Sequence, residues 1–175
     1  MVFVDESSTN VAFTPRYGRA PEGQRAHGKV PRNWGKNVTL ISSITLAEGM
    51  GASMSMEGSS DTDSFGLYMR EVLVPRLKSG QIVLIDNLSV HKSAWVREHI
   101  EEKGCQLWLL PSYSPDMNPI EEAFSKVKAL LRKAKARTLE ALFEATAEAL
   151  RAVNVTDASG YFEHCGYGTS QDHLL

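Results

Sequence analysis

The chain has 175 residues, of which 42% are hydrophobic and 23% are charged, and its formal net charge at pH 7 is −2. These proportions are typical of a globular protein and exclude a disordered tail or a collagen-like fibre. Two widely separated cysteines without a CxxC motif argue against a disulfide framework or a zinc finger. No apolar run is long enough to predict a membrane-spanning helix, so a membrane partner is not expected.

The first half of the chain predicts three strands followed by a helix. Apolar and β-branched runs predict the strands, which lie at residues 2–5, 38–46 and 50–56. The segment 7–37 is rich in glycine, proline, arginine and asparagine and predicts loops, with at most a short strand at 24–30. Apolar residues at helical spacing predict a helix from Asp63 to a stop at Gly80.

Strand and helix alternate in the second half of the chain. Continuous apolar runs predict buried strands at 82–85 and 105–110, and Trp108 is expected in the core. Helical spacing predicts helices at residues 93–103, around the face formed by Ile120, Phe124, Val127 and Leu131, and at 138–153. Strands first, then alternation, then helices indicate an α/β or α+β domain with a mixed central sheet.

Two acidic residues each end a predicted strand. Asp5 follows the apolar run that begins at Val2, and Asp86 follows the run that ends at Ile85. If the two strands are neighbours, their carboxylates converge at one edge of the sheet and can share a hard cation through oxygen ligands. Each residue also has a simpler interpretation, as a turn acid for Asp5 and as an Asx-turn for Asp86. Taken singly, either residue is explained by the simpler interpretation.

A third acid, Glu121, lies at the start of a predicted helix. Asn118 suits the N-cap and Pro119 the first helical position, so Glu121 could be a structural capping-box residue. At 100° per residue, however, Glu121 borders the apolar face of the helix and can reach toward the sheet, whereas Glu122 is expected to face solvent. Lys128 and Arg132 share the edge that Glu121 occupies.

Positive charge is concentrated in two segments of the chain, 16–37 and 123–139. Together they hold twelve basic side chains, which are Arg16, Arg19, Arg25, Lys29, Arg32, Lys36, Lys126, Lys128, Arg132, Lys133, Lys135 and Arg137. Such segments predict contacts with the phosphates of a nucleic acid. The alternative is that these cations only solvate a loop and a helix face.

Three sequence blocks carry a resemblance to a known family. The strings VFVDES, VLIDNLSVH and LLPSYSPDMNPIEEAFSKVK resemble the catalytic blocks of DDE transposases in the mariner superfamily, in particular the bacterial insertion-sequence branch. Thirty-four residues separate Asp86 from Glu121, which is the spacing typical of that branch. The strings YGRAPEGQR and HCGY also look like blocks of this family, so the resemblance spans nearly the whole chain.

The resemblance implies a ribonuclease-H-like fold, with a mixed five-stranded central sheet flanked by helices. It implies that Asp5, Asp86 and Glu121 coordinate two Mg²⁺ ions, which Mn²⁺ can replace. It also implies that Asn87 and His91 lie beside the site, and Asn118 is expected there as well. DNA, as transposon ends and target, is the expected partner, and the predicted contact residues are Arg16, Arg19, Arg25, Lys126, Lys128, Arg132 and Lys133.

Members of the family generally carry N-terminal helix-turn-helix domains, whereas here the first catalytic block begins at residue 3. We therefore expect residues 1–175 to form a single catalytic domain without those domains. The chain would then be the second product of a split gene, with a separate helix-turn-helix product and a homodimer as possible partners, or a fragment or decayed copy. A bacterial, cytoplasmic and nucleoid-associated location is implied. The alternatives are a nuclease of the same fold and a non-catalytic DNA-binding or regulatory remnant.

Overall fold

A mixed five-stranded sheet forms the centre of the computed structural model, which describes residues 1–33, 35–86 and 94–168. The strands are β1 (Val2–Asn10), β2 (Asn37–Thr45), β3 (Gly49–Glu57), β4 (Ile82–Ile85) and β5 (Gln106–Leu109). Their order across the sheet is β3-β2-β1-β4-β5. The first three strands pair antiparallel, while β4 pairs parallel with both β1 and β5.

Five α-helices cover the two faces of this sheet. They are α1 (Thr62–Tyr68), α2 (Ala94–Glu102), α3 (Pro119–Ala134), α4 (Leu139–Arg151) and α5 (Val155–His164). Helix α1 continues as a π-helical turn over Met69–Leu73 and a 3-10 turn over Val74–Arg76. Its N-terminus is closed by a capping box between Asp61 and Ser64.

The alternation of side chains along β1 produces two hydrophobic cores, one on each face. Phe3 is completely buried in the core formed with α3, α4 and α5. Val2 and Val4 point to the other face and pack in the core formed with α1 and α2. Both faces of the central strands are therefore covered, as their continuous apolar runs predicted. Among the described residues, no helix is long and apolar enough to cross a membrane.

The first strand is longer than its apolar run. The prediction that β1 ends at Asp5 is wrong, because the strand continues to Asn10 in antiparallel pairing with β2. The residues after Asp5 are polar and still gain a full ladder of backbone hydrogen bonds from β2, which the apolar pattern does not reveal. The possible short strand at 24–30 is absent, since this described segment is an exposed loop.

Trp108 is not a core residue, contrary to the sequence prediction. Its strand, β5, is the edge of the sheet, and only Leu107 turns into the core. Trp108 lies on the other face and is 53% exposed. Its indole N–H donates to Oε1 of Gln106, two residues away on the same face, at 3.2 Å. A four-residue apolar run does not distinguish an edge strand from a central one.

The helix α5 is the main element that periodicity did not reveal. It starts with a capping box in which the Asp157 backbone N–H donates to Asn154 Oδ1 at 3.0 Å and the Asn154 backbone N–H donates to Asp157 Oδ2 at 2.9 Å. The Lys126 ammonium on α3 donates to the same Asp157 oxygen at 2.6 Å. One carboxylate thus both starts α5 and ties it to α3.

Replacing this carboxylate tests how α5 is held. These donors lower the pKa of Asp157 below its ordinary value, so its contribution to stability is present above the unfolded-state pKa and is lost as the pH falls through the folded-state pKa. We expect Asp157→Ala to lower the free energy of unfolding at pH 7 by about 1–2 kcal/mol, as for other lost caps. The difference between wild type and variant should shrink below pH 4 in urea melts. A constant difference down to pH 2 would contradict this account.

Candidate active site

Asp5 and Asp86 meet because of the register between β1 and β4. The last parallel pair of these strands is Val4 with Ile85, and Asp5 and Asp86 are the next residue on each chain. Both are half-buried. Although β1 itself continues, its pairing with β4 stops at this point, so the two carboxylates lie at the lip where parallel pairing ends. The sequence-based expectation that they lie on neighbouring strands is met.

Glu121 reaches the same place from the first turn of α3. Together with Asp5 and Asp86 it lines a cleft of about 350 Å³. The opposite wall is the segment 110–115, which follows β5, and Asn118 lies at the floor. Glu121 is exposed to solvent, so the cleft is open on the side of the helix. Three acids that are far apart in sequence therefore share one cleft.

Asn118 orients the carboxylate of Asp5. It is only 4% exposed, and its Nδ2 donates to Asp5 Oδ2 at 2.9 Å. The backbone N–H of Glu6 donates to the other oxygen, Oδ1, at 2.7 Å. Two donors on one carboxylate hold its plane in one orientation. Asn118 Oδ1 is buried and has no hydrogen-bond partner within the described part of the chain, which leaves a polar atom at the floor of the cleft.

The alternative interpretation of Glu121 as part of a capping box with Asn118 is not supported, although Asn118 does occupy the N-cap position. Asn118 is the N-cap by backbone geometry, and its carbonyl accepts from the Glu121 N–H at 3.0 Å. Its side chain caps no helical N–H in the described residues and instead contacts Asp5. Glu121 is thereby released from a capping role and faces the cleft.

Glu122 does not simply face solvent, as the helical phase predicted. It is half-buried and pairs with Nδ1 of His164, which lies near the end of α5. This carboxylate raises the pKa of His164 above its ordinary value. Packing of α5 along α3, which the sequence did not reveal, covers the side of the helix that was expected to be open.

The chemistry of the donor set suits a hard, hydrated cation. Within residues 1–33, 35–86 and 94–168, no three acidic, histidine or cysteine side chains are close enough to hold one metal ion as a preformed cage. Asp5, Asp86 and Glu121 instead line one open cleft together, so its acidic side chains offer oxygen ligands. Mg²⁺ and Mn²⁺ prefer such oxygen ligands and keep water in their remaining positions. The residues present therefore fit these ions.

Tyr113 is a residue of the cleft that the sequence analysis missed. Its side chain is fully exposed, and its backbone adopts a left-handed conformation with φ of 60°. Non-glycine residues pay for this conformation with strain, which is common at functional sites. Tyr113 lines the cleft beside the acids. The available signal was an aromatic residue between Pro111 and Pro115 directly before the acidic helix.

The predicted DNA-contact residues divide into a cluster and scattered positions. Arg16, Arg132 and Lys133 line one surface pocket together with Tyr17. The Arg132 guanidinium lies 5.0 Å from the centroid of the Phe13 ring, and burial, together with the charge of Arg16, lowers its pKa from the ordinary value. The guanidinium groups of Arg16 and Arg132 therefore share one pocket although their like charges repel.

The remaining predicted contacts lie outside this pocket. Lys128 is half-buried on α3, and Arg19 and Arg25 are exposed on the loop between β1 and β2. Lys126 is engaged with Asp157 and its side chain is 33% exposed. The two predicted neighbours of Asp86, Asn87 and His91, lie outside the described residues.

Comparison with known proteins decides the family. Residues 1–143 match the family model described as DDE superfamily endonuclease. The chain belongs to this family. Four-fifths of the DDE endonuclease chain lies within the match, including all three acids of the cleft. No curated protein sequence matches the chain.

Solved structures with the same fold are Mos1 transposases. The Mos1 paired-end complex with the left transposon end is similar in fold, with a TM-score of 0.68 at 20% identity. The match covers 94% of this chain and 51% of the Mos1 chain. The Mos1 strand transfer complex has a TM-score of 0.66 at 18% identity, with coverages of 94% and 50%. The catalytic domain of Mos1 mariner transposase has a TM-score of 0.60 at 15% identity, with coverages of 94% and 74%.

These likenesses confirm the predicted ribonuclease-H-like fold for this DDE endonuclease, with its mixed five-stranded sheet between helices. The family model confirms that the chain belongs to the DDE family, and the likeness to the Mos1 mariner transposase is one of fold. The chain spans about half the length of the Mos1 chains in the DNA complexes.

Proposed function

We propose that residues 1–175 form the catalytic domain of an insertion-sequence transposase, which cleaves DNA strands and joins the freed ends to target DNA. One observation carries the proposal: the register of β1 and β4 sets Asp5 beside Asp86, and α3 brings Glu121 into the same cleft. The chain's membership of the DDE superfamily endonucleases supports it. Solved neighbours in fold are the Mos1 paired-end complex with the left transposon end and the Mos1 strand transfer complex, which support it as well.

Asp5, Asp86 and Glu121 would hold two divalent ions, Mg²⁺ or Mn²⁺. When bound, such an ion pair supplies an activated water and stabilises the leaving oxygen of an in-line phosphodiester displacement. Mos1 paired-end complexes are known with Mn and with Mg, which supports the choice of ions. Asn118 and the Glu6 N–H hold the Asp5 carboxylate in one orientation. The carboxylate therefore needs little reorientation during the reaction.

The cleft walls position the DNA strand. Tyr113 presents a fully exposed ring beside the acids, and an aromatic face stacks on any nucleobase, with about 1–3 kcal/mol per base in single-strand binders. Asn87 and His91 would contact DNA or orient ligands from the segment after Asp86. A histidine is a poorer ligand for Mg²⁺ than an oxygen donor.

DNA, as transposon ends and target, is the proposed partner. A separate helix-turn-helix product would select the ends, since specific reading needs side chains at base edges. A homodimer of the chain and a location at the bacterial nucleoid are further parts of the proposal.

The basic pocket of Arg16, Arg132 and Lys133 is the proposed centre of phosphate contact, flanked by Lys128, Arg19 and Arg25. Arg132 lies eleven positions after Glu121 along α3, which is about 16.5 Å of helix at 1.5 Å per residue. The pocket therefore lies beyond the catalytic cleft and would hold the duplex backbone away from the cleaved phosphate. Lys126 can join these contacts only by giving up its hydrogen bond to Asp157.

Salt dependence of DNA binding tests this surface. We expect Arg132→Gln and Lys133→Gln each to reduce the slope of log K against log salt by about one, because each lost phosphate contact releases one counterion fewer. Lys126→Gln should change the slope less, since its partner is Asp157. The slopes are measured by titrating a fluorescent duplex at KCl concentrations from about 50 to about 300 mM. Equal slopes for wild type and all three variants would show that the cations only solvate the surface.

A labelled transposon-end duplex in Mg²⁺ or Mn²⁺ tests the function itself. Nicking followed by joining to a target duplex is the expected result. Nicking without joining would identify a nuclease of the same fold. Binding without nicking, also when a separate helix-turn-helix product is added, would identify a regulatory remnant.

A further inference from the structure

Tyr167 follows the end of α5, and backbone hydrogen bonds fix its position there. The Tyr167 N–H donates to the Phe162 carbonyl at 2.8 Å and the Gly166 N–H donates to the Glu163 carbonyl at 3.0 Å. This is the Schellman pattern, with Gly166 in the left-handed conformation at φ of 83°. Its usual hydrophobic contact is present between the rings of Tyr167 and Phe162, whose centroids lie 6.3 Å apart.

Tyr167 touches both segments that bring Asp5 and Asn118 together. Its ring lies 4.9 Å, centroid to centroid, from that of Phe3, two residues before Asp5 on β1. Its hydroxyl donates to the carbonyl of Met117, the residue before Asn118, at 2.9 Å. Burial raises the pKa of this hydroxyl, so it stays a donor at neutral pH. The Asn118 Nδ2 then donates to Asp5 Oδ2.

Two ion pairs hold α5 itself against α3. Lys126 pairs with Asp157 near the start of α5, and Glu122 pairs with His164 near its end. Helix α5 therefore packs against α3, which carries Glu121. It also packs against β1, which carries Asp5, through the contact between Phe162 and Phe3. Residues 144–175, which include α5, lie outside the segment that matches the family model.

We infer that Tyr167 is a positioning residue of the catalytic cleft, which acts by holding the carbonyl of Met117 and so keeps Asn118 in register with Asp5. The inference rests on the proposed function, because its consequence is seen in metal binding and DNA cleavage. Tyr167 works through the loop before α3, by its hydrogen bond to Met117, and through its ring contact with Phe3.

Tyr167→Phe keeps the ring against Phe3 and removes only the hydroxyl. The matched control is Tyr161→Phe on α5. The Tyr161 hydroxyl makes no hydrogen bond among the described residues. Mn²⁺ binding is measured by the electron paramagnetic resonance signal of the free ion, and cleavage is measured on the transposon-end duplex. We expect Tyr167→Phe to raise the half-saturating Mn²⁺ concentration about two- to tenfold, the effect of one hydrogen bond. The maximal cleavage rate should fall by a similar factor while KM for DNA stays constant.

The two levels of failure separate cleanly. A melting temperature in metal-free buffer that falls by no more than about 4 °C shows that the fold persists. If wild type binds Mn²⁺ and cleaves but Tyr167→Phe behaves like Tyr161→Phe, the role of Tyr167 is overturned and the proposed function stands. If wild type neither binds Mn²⁺ nor cleaves, the proposed function fails and the inference fails with it.

Discussion

Asp5→Asn, Asp86→Asn and Glu121→Gln should each lower the rate of metal-dependent DNA cleavage by about a thousandfold or more while the protein stays folded. Each change replaces a charged oxygen ligand with a neutral amide of nearly the same shape. Divalent ions contribute several kcal/mol of charge stabilisation to phosphodiester cleavage, and each 1.36 kcal/mol of lost stabilisation is a tenfold loss in rate. All three carboxylates line one cleft, so none of them is spare.

Single-turnover cleavage and the Mn²⁺-dependent rise in melting temperature measure this effect. Wild type should gain more stability from Mn²⁺ than any of the three variants, because only a bound ion stabilises the folded state. Glu144→Gln, on the exposed side of α4, is the matched control. Glu122 is unsuitable as a control because it pairs with His164. Near-wild-type cleavage by one variant would remove that residue from the site.

Asn118→Asp should be more damaging than Asn118→Ala, although aspartate is closer in shape to asparagine. The new carboxylate would lie at a position that is 4% exposed, against Oδ2 of Asp5. Two buried carboxylates in contact repel each other, and one of them must take up a proton. We expect a loss of about 3 kcal/mol in the free energy of unfolding at pH 7, against about 1–3 kcal/mol for the alanine variant. Cleavage should fall with both.

The pH dependence separates repulsion from simple loss of packing. Protonation of one carboxyl restores a hydrogen bond between them, so the folded-state pKa of the pair is raised. The cost of Asn118→Asp should therefore be largest at neutral pH and should shrink as the pH falls toward 4, in urea melts followed by circular dichroism. Asn33→Asp makes the same chemical change on an exposed loop and should cost little at any pH. An Asn118→Asp penalty that does not change with pH would contradict the proposed contact.

Local pattern predicted a mixed central sheet with flanking helices and singled out three candidate acids, while the count of five strands and the grouping of the acids into one site came from the resemblance to DDE transposases. A short apolar run followed by an acid marks the end of parallel pairing at Asp5 and Asp86, whatever surrounds it. The helical phase of Glu121 relative to Ile120 and Phe124 is also a local property. These features depend on residues that are close together in the sequence, so they can be predicted without knowledge of the tertiary structure.

Contacts between distant residues were decided only by the tertiary structure. Asn118 turns from the expected helix cap to Asp5, which lies 113 residues earlier in the chain. Glu122 and Lys126 lose their solvent-facing roles because α5, 31 to 42 residues later, packs along α3. A side chain's partner depends on which element covers it, and periodicity reports only that one face of a helix or strand is apolar. The sequence alone thus predicts Asp5, Asp86 and Glu121 as the residues that carry the chemistry, while the packing of α5 and the loop before α3 determines how the side chains around them are held.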